Sequence, residues 1–119
     1  MAKSDDYETP KEIYDELDAE FKFDFDPCPS NPAFDGLSIQ WKRSNYVNPP
    51  YSNPRPWVAK PIEEARKGKT CVLLLRADPS TNYFHRLIMP NAREVRFRRG
   101  RIKFDGKSPA PFASMIVVF

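Results

Sequence analysis

Polar and apolar positions divide the chain into short, distinct segments. In "TPKEIYDELDAEF", Ile13, Leu17 and Phe21 recur every four residues, which predicts a helix from about Pro10 to Glu20 with one buried face. Thr9 is placed as its N-cap, Pro10 fits the first helical position, and Glu12 completes a capping box. "FKFDFD" alternates strictly and predicts a strand ending at Asp26. The following "PCPSNPAFDGLSIQW" is crowded with turn residues and predicts no regular structure. "SNYVN" predicts a short strand that runs straight into "NPPYS". "RPWVAKPIEEARKG" reads as a helix stopped by Gly68, with Pro61 inside it predicting a late start or a kink. "TCVLLLR" is an apolar run of strand length, as expected of a central strand covered on both faces. "DPSTNYFHRLIM" predicts a further helix, capped by Asp78 with Pro79 in its first position. "EVRFRRGRIKF" predicts two short strands around Gly100, and "ASMIVVF" a final one. Strands alternating with helical segments predict an α/β sheet with parallel members, flanked by helices.

Composition narrows this picture. A length of 119 residues fits one domain, spanning 1–119, with a small core. Thirteen prolines against four glycines imply stiff loops. No apolar run reaches the ~18 residues of a membrane span, and "MAKSDDYETP" lacks the apolar stretch of a signal peptide. Cys28 and Cys71 stand alone, as expected of reduced thiols in a cytoplasmic protein rather than ligands of a metal. Charge is unevenly spread. Residues 1–40 hold eleven acids and three bases, and residues 41–119 hold five acids and sixteen bases. One end thus suits a cationic small molecule and the other a polyanion.

The "NPPY" corner carries the most specific chemistry. Ligands of open α/β sheets sit beyond the carboxyl ends of the strands, and this corner ends a predicted strand. The exocyclic amine of adenine is a poor nucleophile because its lone pair is delocalised into the ring. Acceptors on both of its hydrogens would localise that lone pair, and the Asn48 side-chain oxygen and the Pro49 carbonyl are suited to this. Pro49 and Pro50 fix the backbone and offer no competing donor. Tyr51 supplies a face on which a base swung out of its duplex can stack. His85, on a helix beside Phe84 and Leu87, is expected to make a packing or cap contact.

With these residues in view, the chain resembles the phage-type (Dam-like) DNA N6-adenine methyltransferases. The resemblance runs from about Tyr7 to Phe119, through "ETPKEIYDEL", "FDFDPCPSNPAF", "DGLSIQW", "VNPPYSNPRPWVAK", "VLLLRADPSTNYFHRLI" and "RFRRGRIKFDGKSPAPFASMIVVF". It implies a reduced Rossmann-like methyltransferase fold with a mostly parallel sheet. It also implies S-adenosylmethionine as donor, no metal, and DNA adenine as acceptor. Asn48, Pro49, Pro50 and Tyr51 match the catalytic motif. Asp26, Pro27 and Cys28 match the first cofactor loop, with Asp26 near the donor's methionine end. Thr9 and Pro10 match the segment closing over that end, and Asp35 is placed like the acid that contacts the adenosine. Two departures stand out. No glycine-rich loop follows Asp26, and only about twenty residues separate Pro27 from Asn48, little more than one crossover requires.

"REVRFRRGRIK" holds five arginines and a lysine against one glutamate. Arg96, Arg98, Arg99, Arg101 and Lys103 are the candidate DNA-phosphate contacts. An RNA or protein-amide methyltransferase using the same corner is the rival enzyme, and an inactive DNA-binding module the rival outside enzymology. The intact corner argues against the latter. With so short a donor loop, a homodimer is expected, or donor binding that tightens with DNA.

Overall fold

The computed structural model describes residues 7–29 and 33–119. Helix α1 spans Lys11–Phe21 and buries Ile13 and Leu17, as their spacing predicts. Its N-cap is Pro10, extended at φ −56° and ψ 140° and without a side-chain cap. The Pro10 carbonyl accepts from the amides of Ile13 and Tyr14. The expected Thr9 cap and its Glu12 box are therefore absent, because the Thr9 hydroxyl bonds the Tyr46 hydroxyl instead. The helix closes on Lys22 in the left-handed conformation.

The expected strand "FKFDFD" is reduced to a single parallel bridge, Phe25 to Asn45. Two backbone bonds hold it: Asp24 N–H to the Ser44 carbonyl and Tyr46 N–H to the Phe25 carbonyl. Pro27, two residues on, has no N–H with which to continue the pairing. Strand β1 (Ser44–Val47) follows. Helix α2 (Arg55–Ala65) starts ahead of Pro61 and runs through it. The expected late start is not seen, since the proline forfeits one hydrogen bond while its buried ring adds to the packing. Gly68, at φ 90°, ends that segment as predicted.

Strand β2 is Thr70–Arg76, with its five middle residues buried. The next helical segment begins later than predicted, with a π-helical turn at Phe84–Ile88 running into a short α3, Met89–Asn91. Asp78 closes a turn onto Ser80, and Thr81 Oγ1 accepts from the Phe84 amide in its place. Strand β3 is Glu94–Phe97 and β4 is Ser114–Val118. The second strand expected after Gly100 does not form. Gly100 turns the chain at φ 72°, Ile102 drops into the core, and β3 pairs with β4 instead.

The sheet order is β1-β2-β4-β3. The β1·β2 ladder is parallel, while β2·β4 and β3·β4 are antiparallel. The sheet is thus mixed, which corrects the expected mostly parallel arrangement. The reason is one strand: β4 runs against β1, β2 and β3, and so reverses both ladders it joins. Alternation along the strands builds two cores. Val47, Leu73, Leu75, Met115 and Val117 pack with Val58, Ile62, Phe84 and Ile88 on one face. Tyr46, Val72, Leu74, Ile116 and Val118 pack with Ile13 and Leu17 on the other. Among the described residues, no helix is long and apolar enough to cross a membrane.

Candidate active site

Where β1 ends, the chain leaves the sheet at Asn48. Its Nδ2 donates to the backbone carbonyl of Tyr7. That bond uses one of the two N–H donors of the amide and sets the orientation of the side chain. Pro49 is buried and Pro50 half-buried. The Pro50 carbonyl accepts from Asn53 N–H, and the Pro54 carbonyl accepts from Trp57 and Val58 as α2 begins. The donor-free corner is thus pinned between a strand and a helix.

Tyr51 does not stand alone on a rim. The Tyr7 ring stacks on it, with centroids 5.2 Å apart and planes 20° apart. Phe112 meets it edge-on at 4.9 Å, and Phe104 at 6.5 Å. Burial pushes the Tyr51 phenol well above its ordinary pKa. Its hydroxyl is buried with no hydrogen-bond partner among the described residues.

The Phe25 bridge places Asp26 at the same end of the sheet, beside β1. Asp26 Oδ1 accepts from the Cys28 amide at 2.9 Å. Burial raises the Asp26 pKa, with that hydrogen bond opposing it, and no basic side chain pairs with it among the described residues. Burial likewise raises the Tyr46 phenol, and the Asp26 charge adds to this. Asp26, Tyr46 and the Thr9 hydroxyl bonded to Tyr46 therefore form one neighbourhood.

Asp35 reaches this loop through Gly36. A methyl group on Gly36 would lie 1.8 Å from the Pro27 carbonyl oxygen and 3.0 Å from the Trp57 ring. Only glycine lets the two turns touch. Asp35 is exposed, and its Oδ1 accepts from Leu37 N–H at 3.0 Å. The Trp41 indole donates to the Gly36 carbonyl at 2.7 Å, and the Trp41 amide donates to Glu64 Oε1 at 3.1 Å. Glu64 is fully buried on α2 and meets Lys69 at 2.5 Å, Lys60 at 3.0 Å and Lys67 at 3.4 Å. Burial alone would raise its pKa, but hydrogen bonds from Lys69, Lys60 and the Trp41 amide hold it down at about 2.

The basic residues separate into two groups. Arg96 is spent on Glu20 and Glu94 and lies over the Phe21 ring, where it ties β3 to α1. Arg98, Arg99, Arg101 and Lys103 line a 460 Å³ groove against the first turns of α1, which contributes Glu12 and Glu16. His85, exposed, has Nε2 against the Pro79 carbonyl at 2.6 Å, the local contact expected of it. The sequence reading missed Tyr7, Tyr46, Phe104, Phe112 and Glu64. Their roles rest on contacts between distant segments, although three lysines near Glu64 are a local hint of its pairing.

Over 86 residues, 62% of this chain and 49% of the relative, the chain is 36% identical to a protein described as a DNA N-6-adenine-methyltransferase from Haemophilus phage HP1 (strain HP1c1). The match thus spans about half the length of that relative. No solved structure matches. The family model for DNA N-6-adenine-methyltransferase (Dam) matches residues 1–114, nearly the whole sequence with the corner, the Asp26 loop and the basic groove inside it, and the chain belongs to this family.

Proposed function

We propose that the chain transfers a methyl group from S-adenosylmethionine to the exocyclic N6 amine of an adenine in DNA, on a reduced Rossmann-like scaffold. The observation that carries this is the anchored Asn48 amide. With Nδ2 held by the Tyr7 carbonyl, Oδ1 and the adjacent Pro49 carbonyl would be the two acceptors at the carboxyl end of β1. Two acceptors on one amine draw its lone pair out of conjugation and hold the nitrogen in place, so the residues work by positioning. Tyr51 supplies the stacking surface for a base turned out of the duplex.

The donor side fits as well. Asp26 is a desolvated carboxylate awaiting a cation, and the donor carries both an ammonium and a sulfonium. When bound, S-adenosylmethionine supplies a methyl group activated by its sulfonium. Asp26, with the Pro27–Cys28 turn, would hold the methionine end. Thr9 and Pro10 would close over it, and Asp35 on the Gly36 turn would take the adenosine. Arg98, Arg99, Arg101 and Lys103 would contact phosphates, which set register without reading sequence.

The test is incubation with labelled donor and DNA, RNA or protein in parallel. Label in adenine of DNA is the expected result. Label confined to RNA or protein would replace the substrate, and label in none of them would remove the enzyme reading.

A further inference from the structure

We propose that the Tyr7 side chain is a gate on the adenine position, lying where the target base must stack and swinging aside to admit it. The proposal rests on the methyltransferase reading of the corner.

The Tyr7 ring covers Tyr51 nearly parallel to it, with centroids 5.2 Å apart, the arrangement an aromatic base would adopt on the same face. A base cannot enter between rings already in contact, so Tyr7 must leave before Tyr51 can serve. The chain is tied at the moving residue itself and again two residues on. The Tyr7 carbonyl holds the Asn48 amide, and the Thr9 hydroxyl holds Tyr46. If the whole segment peeled away, Asn48 would lose the bond that orients it. A swing of the ring alone clears Tyr51 and leaves that bond in place.

There is also somewhere for the ring to go. A 420 Å³ groove lined by Tyr7, Glu8, Phe104 and Pro109 lies beside it. The closed arrangement, moreover, leaves the Tyr51 hydroxyl buried and without a partner among the described residues, a cost that opening can relieve. A closed ring competes with the base, and apparent affinity falls by the fraction of molecules that are open.

The experiment compares 12-residue single-stranded oligo(dA) and oligo(dT) binding to the wild type, Tyr7→Ala and Tyr7→Phe, by fluorescence anisotropy. Tyr7→Ala should bind oligo(dA) about five-fold tighter or more, the lower end of a lost self-stack, with oligo(dT) gaining less. Tyr7→Phe keeps the ring and should bind like the wild type. Weaker oligo(dA) binding by Tyr7→Ala would make Tyr7 a wall of the pocket, and unchanged binding would place it off the base path. Either result overturns the gate. Should Tyr7→Ala not fold, the wild type labelled with 3-fluorotyrosine decides, since its five tyrosines can be assigned by single Phe variants. Oligo(dA) must then shift the Tyr7 and Tyr51 fluorine signals together, and an unmoved Tyr7 signal overturns the proposal. Methyl transfer by the wild type is scored separately. Absent transfer defeats the functional reading, whereas normal transfer with either overturning result defeats only the gate.

Discussion

Glu64→Gln isolates the charge that braces the candidate donor site. Glutamine keeps the side-chain volume and can still accept from the Trp41 amide, so only the negative charge is lost. Glu64 is fully shielded from solvent, while Lys60 and Lys69 retain 14% and 18% exposure. Removing one partner of a buried ion pair costs about 3–5 kcal/mol, and the water still reaching the lysines places this case at the lower end. Linkage gives the same size. A carboxyl lowered from 4.5 to about 2 contributes roughly 3 kcal/mol at neutral pH. For a domain of this length that is on the order of 10 °C in melting temperature. The sign is set by a folded pKa below the unfolded one: the contribution is complete above about 4.5 and is lost as pH falls through about 2. Urea unfolding of both proteins from pH 7 to pH 2 tests it. Carboxylates common to the two cancel in the difference, which should be about 3 kcal/mol at pH 7 and shrink steadily below pH 5. A gap under ~1 kcal/mol at pH 7, the range of exposed pairs, or a gap that ignores pH, would refute the reasoning.

Asn48→Ala should lower methyl transfer by about 10²–10³-fold, the scale of losing a preorganised hydrogen-bonding group, with unchanged circular dichroism; near-normal turnover would remove the proposed mechanism. Gly36→Ala should cost about 1–3 kcal/mol by overpacking against the Pro27 carbonyl, and weaken donor binding in calorimetry more than it weakens DNA binding. Arg98→Ala with Arg99→Ala should weaken DNA binding evenly on two unrelated duplexes and reduce the salt slope by roughly one per lost phosphate contact. A loss confined to one duplex would mean these arginines read bases. Light scattering should show a homodimer, or donor binding should tighten on adding DNA; a monomer with tight donor binding alone would contradict both.

The parts legible in the sequence are those set by local pattern. Apolar runs mark β2 and β4, four-residue spacing marks α1, and the corner at Asn48 announces itself by its two prolines. What was misread depends on partners. "FKFDFD" alternates like a strand, yet only Phe25 finds a bridging neighbour before Pro27 ends the pairing. "RIKF" has strand composition, but β3 already has β4 beside it and Ile102 gains more by entering the core. Asp78 looks like a helix cap and closes a turn instead, leaving Thr81 to meet the Phe84 amide. Glu64 is one of two adjacent acids in "IEEA". Its burial follows from the fold of three lysines around it. The positions of Tyr7 and Tyr46 depend on segments some forty residues apart, a separation no window of sequence can span.

The placement of β4 bears on how the molecule is made. In the described sheet, β4 stands between β2 and β3, so β3 has no neighbour until residues 114–118 arrive. On a ribosome, β1 and β2 can pair early. The open edge of β2, bordered by Val72, Leu73, Leu74 and Leu75, must then wait through some forty more residues of synthesis. An unpaired apolar edge is a template for association between chains. A nascent chain stalled before residue 114 should therefore be captured by chaperones or aggregate, and emergence of β4 should relieve both.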